Sequence, residues 1–293
     1  MNAEGKVPIS VVIPTRNEER NLAACLAGLE FAAERVVFDS HSDDATLDIA
    51  RAAGARVVQR HFDVFSRHKN WALDNIDFAH DWILLVDADE RVTPELAAEI
   101  AAVVRGGGPE AGWYIARKNI FQGRWIRHAG MYPDWQLRLV RRGRARYEDR
   151  IVHEYMVADG PTGFLKTPFV HHDYKGIERY IDRHNHYSSL EAVEIHRLLA
   201  GRAGASAFAG RLAGSGPERR RALKLLAYRH LPARALILFF YMYVLRFGFL
   251  DGRIGFRYCL LRSIYEYQIA LKLIELRDPH SPLAVRYREY IER

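Results

Sequence analysis

Cysteine is scarce in this sequence: two residues, Cys25 and Cys259, in a chain of 293. Two cysteines cannot build a disulfide framework, so the fold must rest on its core and a reducing compartment is expected. The G-x-G-x-x-G and G-K-[ST] signatures are missing as well, which disfavours a dinucleotide fold and a phosphate-cradling P-loop. A membrane span needs about 20 apolar residues. The apolar run Ala235–Leu245 has eleven, flanked by Arg234 and Arg246. The opening MNAEGKVPIS holds no apolar stretch of signal-peptide length, an expectation against export by that route.

What is present is globular material, 49% hydrophobic and 27% charged, with enough apolar mass for a sizeable core. The net charge of +7 is unevenly placed: residues 1–110 carry 11 Lys/Arg against 19 Asp/Glu, and residues 111–293 carry 32 against 17. Such a split predicts two halves that meet different partners. Charge alone does not choose among nucleic acid, anionic lipid and a phosphorylated substrate.

The acidic half alternates between strand and helix patterns. Ile9–Pro14 is a β-branched run that reads as a buried strand, followed by helical spacing through Leu22, Cys25, Leu26 and Leu29. Arg35–Phe38 is a second strand, and Ser42 is expected to cap the next helix. Ala55–Gln59 is a third strand, Ser66–Ile76 a helix, and Trp82–Val86 a fourth strand running into Asp87-Ala88-Asp89-Glu90. Thr93-Pro94-Glu95 opens a further helix with its cap and first-turn proline in order. The pattern β-α-β-α-β-α-β predicts a mostly parallel sheet with helices on both faces. Its ligands sit beyond the carboxyl ends of the strands. Three strand ends carry suitable polar residues: Thr15-Arg16-Asn17-Glu18, Asp39-Ser40-His41-Ser42 and Asp87-Ala88-Asp89.

Asp87 and Asp89 lie two apart, which in extended chain sets both carboxylates on one side. They repel unless a cation sits between them, and hard oxygen ligands suit Mg²⁺ or Mn²⁺ bridging to a diphosphate. For Asp39 two readings stand, contact with a base or ribose and capping of the next helix. Lys69 is placed to balance phosphate charge.

VVIPTRNEERNL, FDSHSDDAT, KNWALDN and LLVDADE, in that order and spacing, resemble glycosyltransferase family 2. The resemblance implies the A-type glycosyltransferase fold, Rossmann-like, and an enzyme that inverts the anomeric centre of a nucleotide sugar. It implies that Pro14, Thr15, Asn17 and Glu18 line the base pocket, that Asp39 holds base or ribose, that Lys69 lies near the nucleotide, and that Asp87 and Asp89 carry metal and diphosphate. Arg117–Trp125 (RKNIFQGRW), Tyr132–Arg142 (YPDWQLRLVRR), Val152–Glu154 (VHE) and Gly248–Phe256 (GFLDGRIGF) resemble the lipopolysaccharide-core β-glucosyltransferase group.

Direct inversion needs a base for the acceptor hydroxyl and a stabiliser for the leaving diphosphate. Among Asp134, Asp149 and Glu154, the resemblance points to Glu154 as base, with Asp134 second; an arginine salt bridge is the competing role for Glu154. Some relatives add a downstream histidine to the metal shell, which favours His171 over His172 after the run Phe164–Val170. Metal-free local hydrogen bonding remains the other reading of that pair.

The expected organisation is a catalytic domain over residues 1–175 and a C-terminal amphipathic helical extension over 176–293, with a helix from Ile177 to Leu190 and a Gly/Ala/Ser-rich hinge over Gly201–Pro217. Ala235–Leu245 reads as a buried or interfacial helix, and Tyr258–Leu276 as a second. Arginines and tyrosines beside apolar faces suit an anionic membrane surface; a helical hairpin packed on the domain or on a twin subunit is the alternative. The expected protein is thus a metal-dependent transferase moving a hexose, with UDP-glucose as the expected donor, onto a lipid-anchored saccharide such as the lipopolysaccharide inner core. It would work peripherally on the cytoplasmic face of the inner membrane. Polyprenyl phosphate or a peptide are alternative acceptors. A nucleic-acid-binding protein and a sugar-phosphate nucleotidyltransferase leave the three strand-end loops or the TRNEERN loop unexplained.

Overall fold

The structure, a computed structural model, describes residues 5–148, 155–200, 228 and 233–292. Glu154, Asp149 and the expected loop or hinge over Gly201–Pro217 lie outside the described residues. The chain divides into two compact units, Met1–Gly176 and Ile177–Arg293.

In the first unit, the alternation of β1 (Val7–Thr15) sorts the core into two layers. Val7, Ile9, Val11 and Ile13 pack with Leu22, Cys25 and Leu26 of α1 (Glu19–Ala27). Val12 belongs to the other layer, with Phe38, Ile83 and Leu85. β2 (Ala32–Asp39), α2 (Thr46–Ala52), β3 (Arg56–Gln59), α3 (Phe65–Asn75) and β4 (Trp82–Leu85) follow in the expected alternation. The order β3-β2-β1-β4 is parallel throughout. The chain walks outward from β1 to β3 and then returns to β1's other side. Ligands of such sheets bind beyond the strand ends at a reversal of this kind.

The rest of the sheet is mixed rather than parallel. β5 (Glu90–Arg91), α4 (Pro94–Gly106), β6 (Gly112–Phe121), β7 (Arg124–Trp125) and β8 (Asp134–Arg141) come next in the chain. β8 is antiparallel to both β4 and β6. β9 (Ala145–Tyr147) and β10 (Met156–Ala158) form a separate ribbon. β11 (Thr162–Phe164) and β12 (Phe169–His171) both run parallel to β6, and β12 pairs antiparallel with β5. That last pairing carries His171 back to the turn after β4.

Thr93 caps α4 as its sequence predicts, its Oγ1 accepting from the Leu96 N–H at 3.3 Å. Ser42 does not cap α2. The helix begins at Thr46, because Asp44 takes the Thr46 N–H at 2.9 Å and makes a local turn first.

In the second unit, α5 (Gly176–Leu199) precedes α6 (Arg234–Phe240), a π-helical turn at Tyr241–Leu245, a 3₁₀ turn at Gly248–Asp251 and α7 (Gly252–Glu275). Two short helices close the chain, α8 (Pro282–Arg286) and α9 (Arg288–Glu292). α7 is tied to α5 by Tyr265 Oη donating to Glu191 Oε2 at 2.7 Å, and to α6 by Ser263 Oγ donating to the Ala235 carbonyl at 2.6 Å. Leu236 and Phe240 are exposed, so of the two readings of Ala235–Leu245 the buried one falls away.

Gly255 sets the bend between the two helices. A Cβ there would lie 2.1 Å from the Gly248 carbonyl oxygen. Gly255→Ala gains roughly 1 kcal/mol of helix propensity but forces the backbones apart, a cost of about 1–3 kcal/mol or more. The clash is with backbone and cannot be relieved by a rotamer, so a lowered thermal midpoint is expected by calorimetry; an unchanged midpoint would show that the bend opens freely.

Candidate active site

The three polar strand ends meet at the β1/β4 reversal. Asp39, fully buried at the end of β2, accepts four hydrogen bonds. Its Oδ1 receives Thr15 Oγ1 at 3.1 Å and Ser42 Oγ at 2.5 Å, and its Oδ2 receives the Ser42 N–H at 2.9 Å and Gln59 Nε2 at 3.1 Å. A carboxylate offers about four lone-pair sites, so Asp39 is saturated by its own loop together with Thr15 of β1 and Gln59 of β3. Pro14 lies on β1 opposite Phe38. Asn17 has a left-handed backbone (φ 55°), tolerable for asparagine, and ties the two loops: its N–H donates to Ser42 Oγ at 2.9 Å and its Oδ1 accepts from Asp43 N at 3.1 Å.

Glu18 receives Lys175 Nζ at 2.6 Å and Asn21 Nδ2 at 2.9 Å. Burial raises its pKa against the pull of Lys175. Buried Asn21 also donates to Asp173 Oδ1 at 3.3 Å and accepts the Tyr174 N–H at 3.1 Å. The segment after β12 is thereby fastened to the start of α1.

The turn after β4 departs from the extended geometry expected for the D-x-D pair. The Glu90 N–H donates to the Asp87 carbonyl at 2.8 Å, and the Asp87 N–H donates to Glu90 Oε2 at 2.9 Å. The turn sends the two aspartates to different partners. Asp87 Oδ2 accepts from Arg138 Nη2 at 2.5 Å, and the same nitrogen donates to Glu90 Oε1 at 3.1 Å. Asp89 Oδ2 lies 3.2 Å from His171 Nε2. Burial opposes ionisation of Asp87, but Arg138 beside it holds the carboxyl well below the usual carboxylate range. Glu90 moves the other way: its burial outweighs the same arginine. For His171, burial disfavours the imidazolium, yet the Asp89 carboxylate raises its pKa overall. The His172 side chain turns elsewhere, its ring 4.0 Å from that of Tyr174, while the His172 backbone N–H donates to the Asp89 carbonyl at 2.9 Å.

Lys69 lies in α3 with Nζ 5.0 Å above the Tyr147 ring, near enough for its charge to act on Asp87. Asp134 is held at both oxygens: Arg117 Nε and Nη2 reach Oδ2 at 2.8 and 2.6 Å, and Gln136 Nε2 reaches Oδ1 at 3.0 Å. Among the described residues no group of three or more His, Cys, Asp or Glu side chains is arranged to hold a metal.

Glu90, Arg138, His68 and Lys175 received no role from the sequence. Arg138 carried a readable signal, being a cation in the otherwise apolar stretch Leu137–Val140 of a strand. His68 sits against the loops after β2 and β3. Its Nδ1 lies 3.0 Å from Arg60 Nη1 and its Nε2 3.1 Å from Ser40 Oγ. A guanidinium only donates, so Nδ1 accepts and Nε2–H donates to Ser40.

The structure thus sets a carboxylate–imidazole pair beside three polar strand ends of a Rossmann-like sheet. Residues 10–184 match the family described as Glycosyl transferase family 2, and the chain belongs to that family. It is a glycosyltransferase with the A-type fold. The lipopolysaccharide core biosynthesis glycosyltransferase LpsC of Rhizobium meliloti is 30% identical over 194 residues, covering 64% of this chain and 71% of that protein. An uncharacterized glycosyltransferase of Rickettsia typhi is 25% identical over 199 residues, covering 64% and 68%. Among solved structures, glucosyl-3-phosphoglycerate synthase of Mycobacterium tuberculosis in complex with Mn²⁺, UDP and glucosyl-3-phosphoglycerate is 25% identical, with a TM-score of 0.29 over 40% of this chain and 45% of that one. The chain thus spans less than half of that structure, and the fold assignment rests on the strand order and the family match.

Two outcomes are expected from this geometry. Arg138→Met leaves Asp87 and Glu90 facing each other without their cation, and should cost about 3–5 kcal/mol in urea unfolding; a loss below 1 kcal/mol would mean the pair is already neutral. His68 is pushed down to about 4 by burial and by Arg60. In the unfolded chain it titrates near 6.5. Between those values the unfolded chain binds the proton and the folded one does not. Stability is therefore complete above about pH 6.5 and falls toward pH 4, by up to about 3 kcal/mol. His68→Gln should flatten that slope in unfolding curves between pH 7 and 4.5.

Proposed function

We propose that this glycosyltransferase moves a hexose, glucose from UDP-glucose, with inversion onto a lipid-anchored saccharide of the lipopolysaccharide inner-core type. We place the work at the cytoplasmic face of the inner membrane. The observation that carries the reading is the approach of Asp89 and His171 at 3.2 Å beside the β1/β4 reversal. Two ligands set at right angles on one octahedral ion, with bonds near 2.1 Å, lie about 3 Å apart. A carboxylate oxygen and an imidazole nitrogen at this separation therefore fit one Mg²⁺ or Mn²⁺. A divalent ion there would neutralise charge building on the leaving diphosphate.

The surrounding residues take the remaining tasks. Asp87, already paired with Arg138, is assigned to the nucleotide side with Pro14, Thr15, Asn17 and Glu18. The saturated Asp39 is assigned to shaping that pocket through its backbone and loop. Lys69 adds positive charge for the diphosphate. Glu154 takes the proton from the acceptor hydroxyl as the new C1–O bond forms and the bond to the diphosphate breaks. Asp134 is less suited, because Arg117 and Gln136 occupy both its oxygens. The lipopolysaccharide acceptor is supported by the name of the Rhizobium relative, a core biosynthesis enzyme. UDP-glucose as donor is supported by the resemblance of Arg117–Trp125, Tyr132–Arg142, Val152–Glu154 and Gly248–Phe256 to the lipopolysaccharide-core β-glucosyltransferase group.

Calorimetric titration with UDP and UDP-glucose, with and without Mn²⁺, tests the assignment. Asp89→Ala and His171→Ala should each weaken metal-dependent binding at least about 10- to 100-fold. Glu154→Gln should bind UDP normally and slow transfer by about 10²–10⁴. UDP binding indifferent to metal would remove Asp89–His171 as the ion site, and full transfer by Glu154→Gln would move the base elsewhere.

A further inference from the structure

α7 is apolar on two opposite faces. Tyr258, Cys259, Tyr265 and Ile269 are buried within the second unit. On the far side Phe256, Leu260, Ile264, Tyr267, Leu271 and Ile274 are 42–57% exposed. At 3.6 residues per turn those six fall within about 80° of arc. A surface helix needs one apolar face to reach its core; the second has no such use. Before the bend, Phe240, Leu245, Phe247, Phe249 and Leu250 are exposed as well.

Arginines border this surface. Arg246, Arg253 and Arg257 are exposed there, whereas Arg234 is paired with Glu266 and Lys272 donates to Asn185 and Ser188 of α5. Exposed Arg253 and Arg257 line a cleft of about 350 Å³ together with Tyr243, Gly252 and Phe256. Guanidinium pairs beside aromatic rings suit a phosphate whose neighbours are apolar.

We infer that the bent pair Arg234–Leu245 and Gly248–Glu275 is an in-plane membrane anchor. Its outer apolar face would sink into one leaflet of an anionic phospholipid bilayer, with Arg253 and Arg257 gripping lipid phosphate. It deepens the membrane placement proposed above and rests on that reading. No single described helix is long and apolar enough to cross a membrane, and the two segments meet at 73°. With Arg253, Arg257, Arg262, Glu266, Lys272 and Glu275 along its length, α7 is too charged to traverse hydrocarbon and suited to lie in the interface. A second copy of the chain is the weaker occupant, because a two-fold contact pairs the patch with itself and sets exposed Arg246, Arg253 and Arg257 against a rim with more cations than acids.

Flotation of the full chain with vesicles tests the anchor, using phosphatidylcholine alone and phosphatidylcholine with phosphatidylglycerol. The wild type should float with the anionic vesicles. Leu260→Glu combined with Leu271→Glu, both at exposed positions, should reduce vesicle binding at least about tenfold. Arg253→Gln with Arg257→Gln should abolish the preference for phosphatidylglycerol. Leu260→Trp should shift its emission to the blue on vesicles and be quenched by brominated acyl chains. Absence of vesicle binding by the wild type, unaltered binding by the double glutamate variant, or a dimer in sedimentation that this variant dissolves would each overturn the anchor. UDP titration of the same samples separates the two readings: nucleotide binding without vesicle binding sinks the anchor alone, and vesicle binding without nucleotide binding sinks the donor assignment alone.

Discussion

A guanidinium placed between half-buried Asp87 and fully buried Glu90 organises the acidic end of this sheet. Arg138 stands on β8, 5% exposed, and reaches both Asp87 and fully buried Glu90 across the sheet. Desolvating three charges is expensive, and the arrangement persists only because the hydrogen bonds converge. Its consequence is geometric. With Asp87 drawn to Arg138 and Glu90 folded back on the Asp87 N–H, the turn presents Asp89 on the other side, where β12 delivers His171. The carboxylate–imidazole pair exists because the neighbouring aspartate is occupied.

The same logic revises the meaning of the charge split. Part of the basic excess after residue 110 is matched inside the first unit by the acidic segment before it. Arg138 pairs with Asp87 and Glu90, Arg142 with Asp77, Arg146 with Asp74, and Lys175 with Glu18. The outer pairs, Arg142–Asp77 and Arg146–Asp74, are exposed and contribute little each. The inner ones sit where function is argued. The asymmetry thus reflects, in this part, two segments that complement one another across a mixed sheet.

Rigidity around the crevice comes from polar saturation. Asp39, Asn17, Asn21 and Glu18 spend their hydrogen bonds on joining the β1, β2 and post-β12 segments. Such a frame fixes the positions of backbone and side-chain groups before a ligand arrives, and preorganisation lowers the ordering cost of binding. His68, locked between Arg60 and Ser40 as a neutral imidazole, belongs to that frame.

The first four strands, the helices between them and the polar character of their ends were determined by the sequence itself. β-branched runs, periodic apolar faces and the Thr93-Pro94 cap act over a few residues, so their signal is local. The D-x-D motif was legible for the same reason, as were the histidine pair and the apolar stretches of the C-terminal third. Tertiary structure decided what those residues do to each other. Asp87 lies 51 residues from Arg138, and Glu18 lies 157 from Lys175. Contacts of that separation depend on the order and register of β8 and β12 in a mixed sheet, which no local periodicity encodes. The turn that divides Asp87 from Asp89 was hidden because extended chain is the default after a strand, and only buried Arg138 and Glu90 make the turn favourable. The second apolar face of α7 was present in the sequence as excess hydrophobicity, and became an exposed surface only once packing on α5 and α6 had used the first.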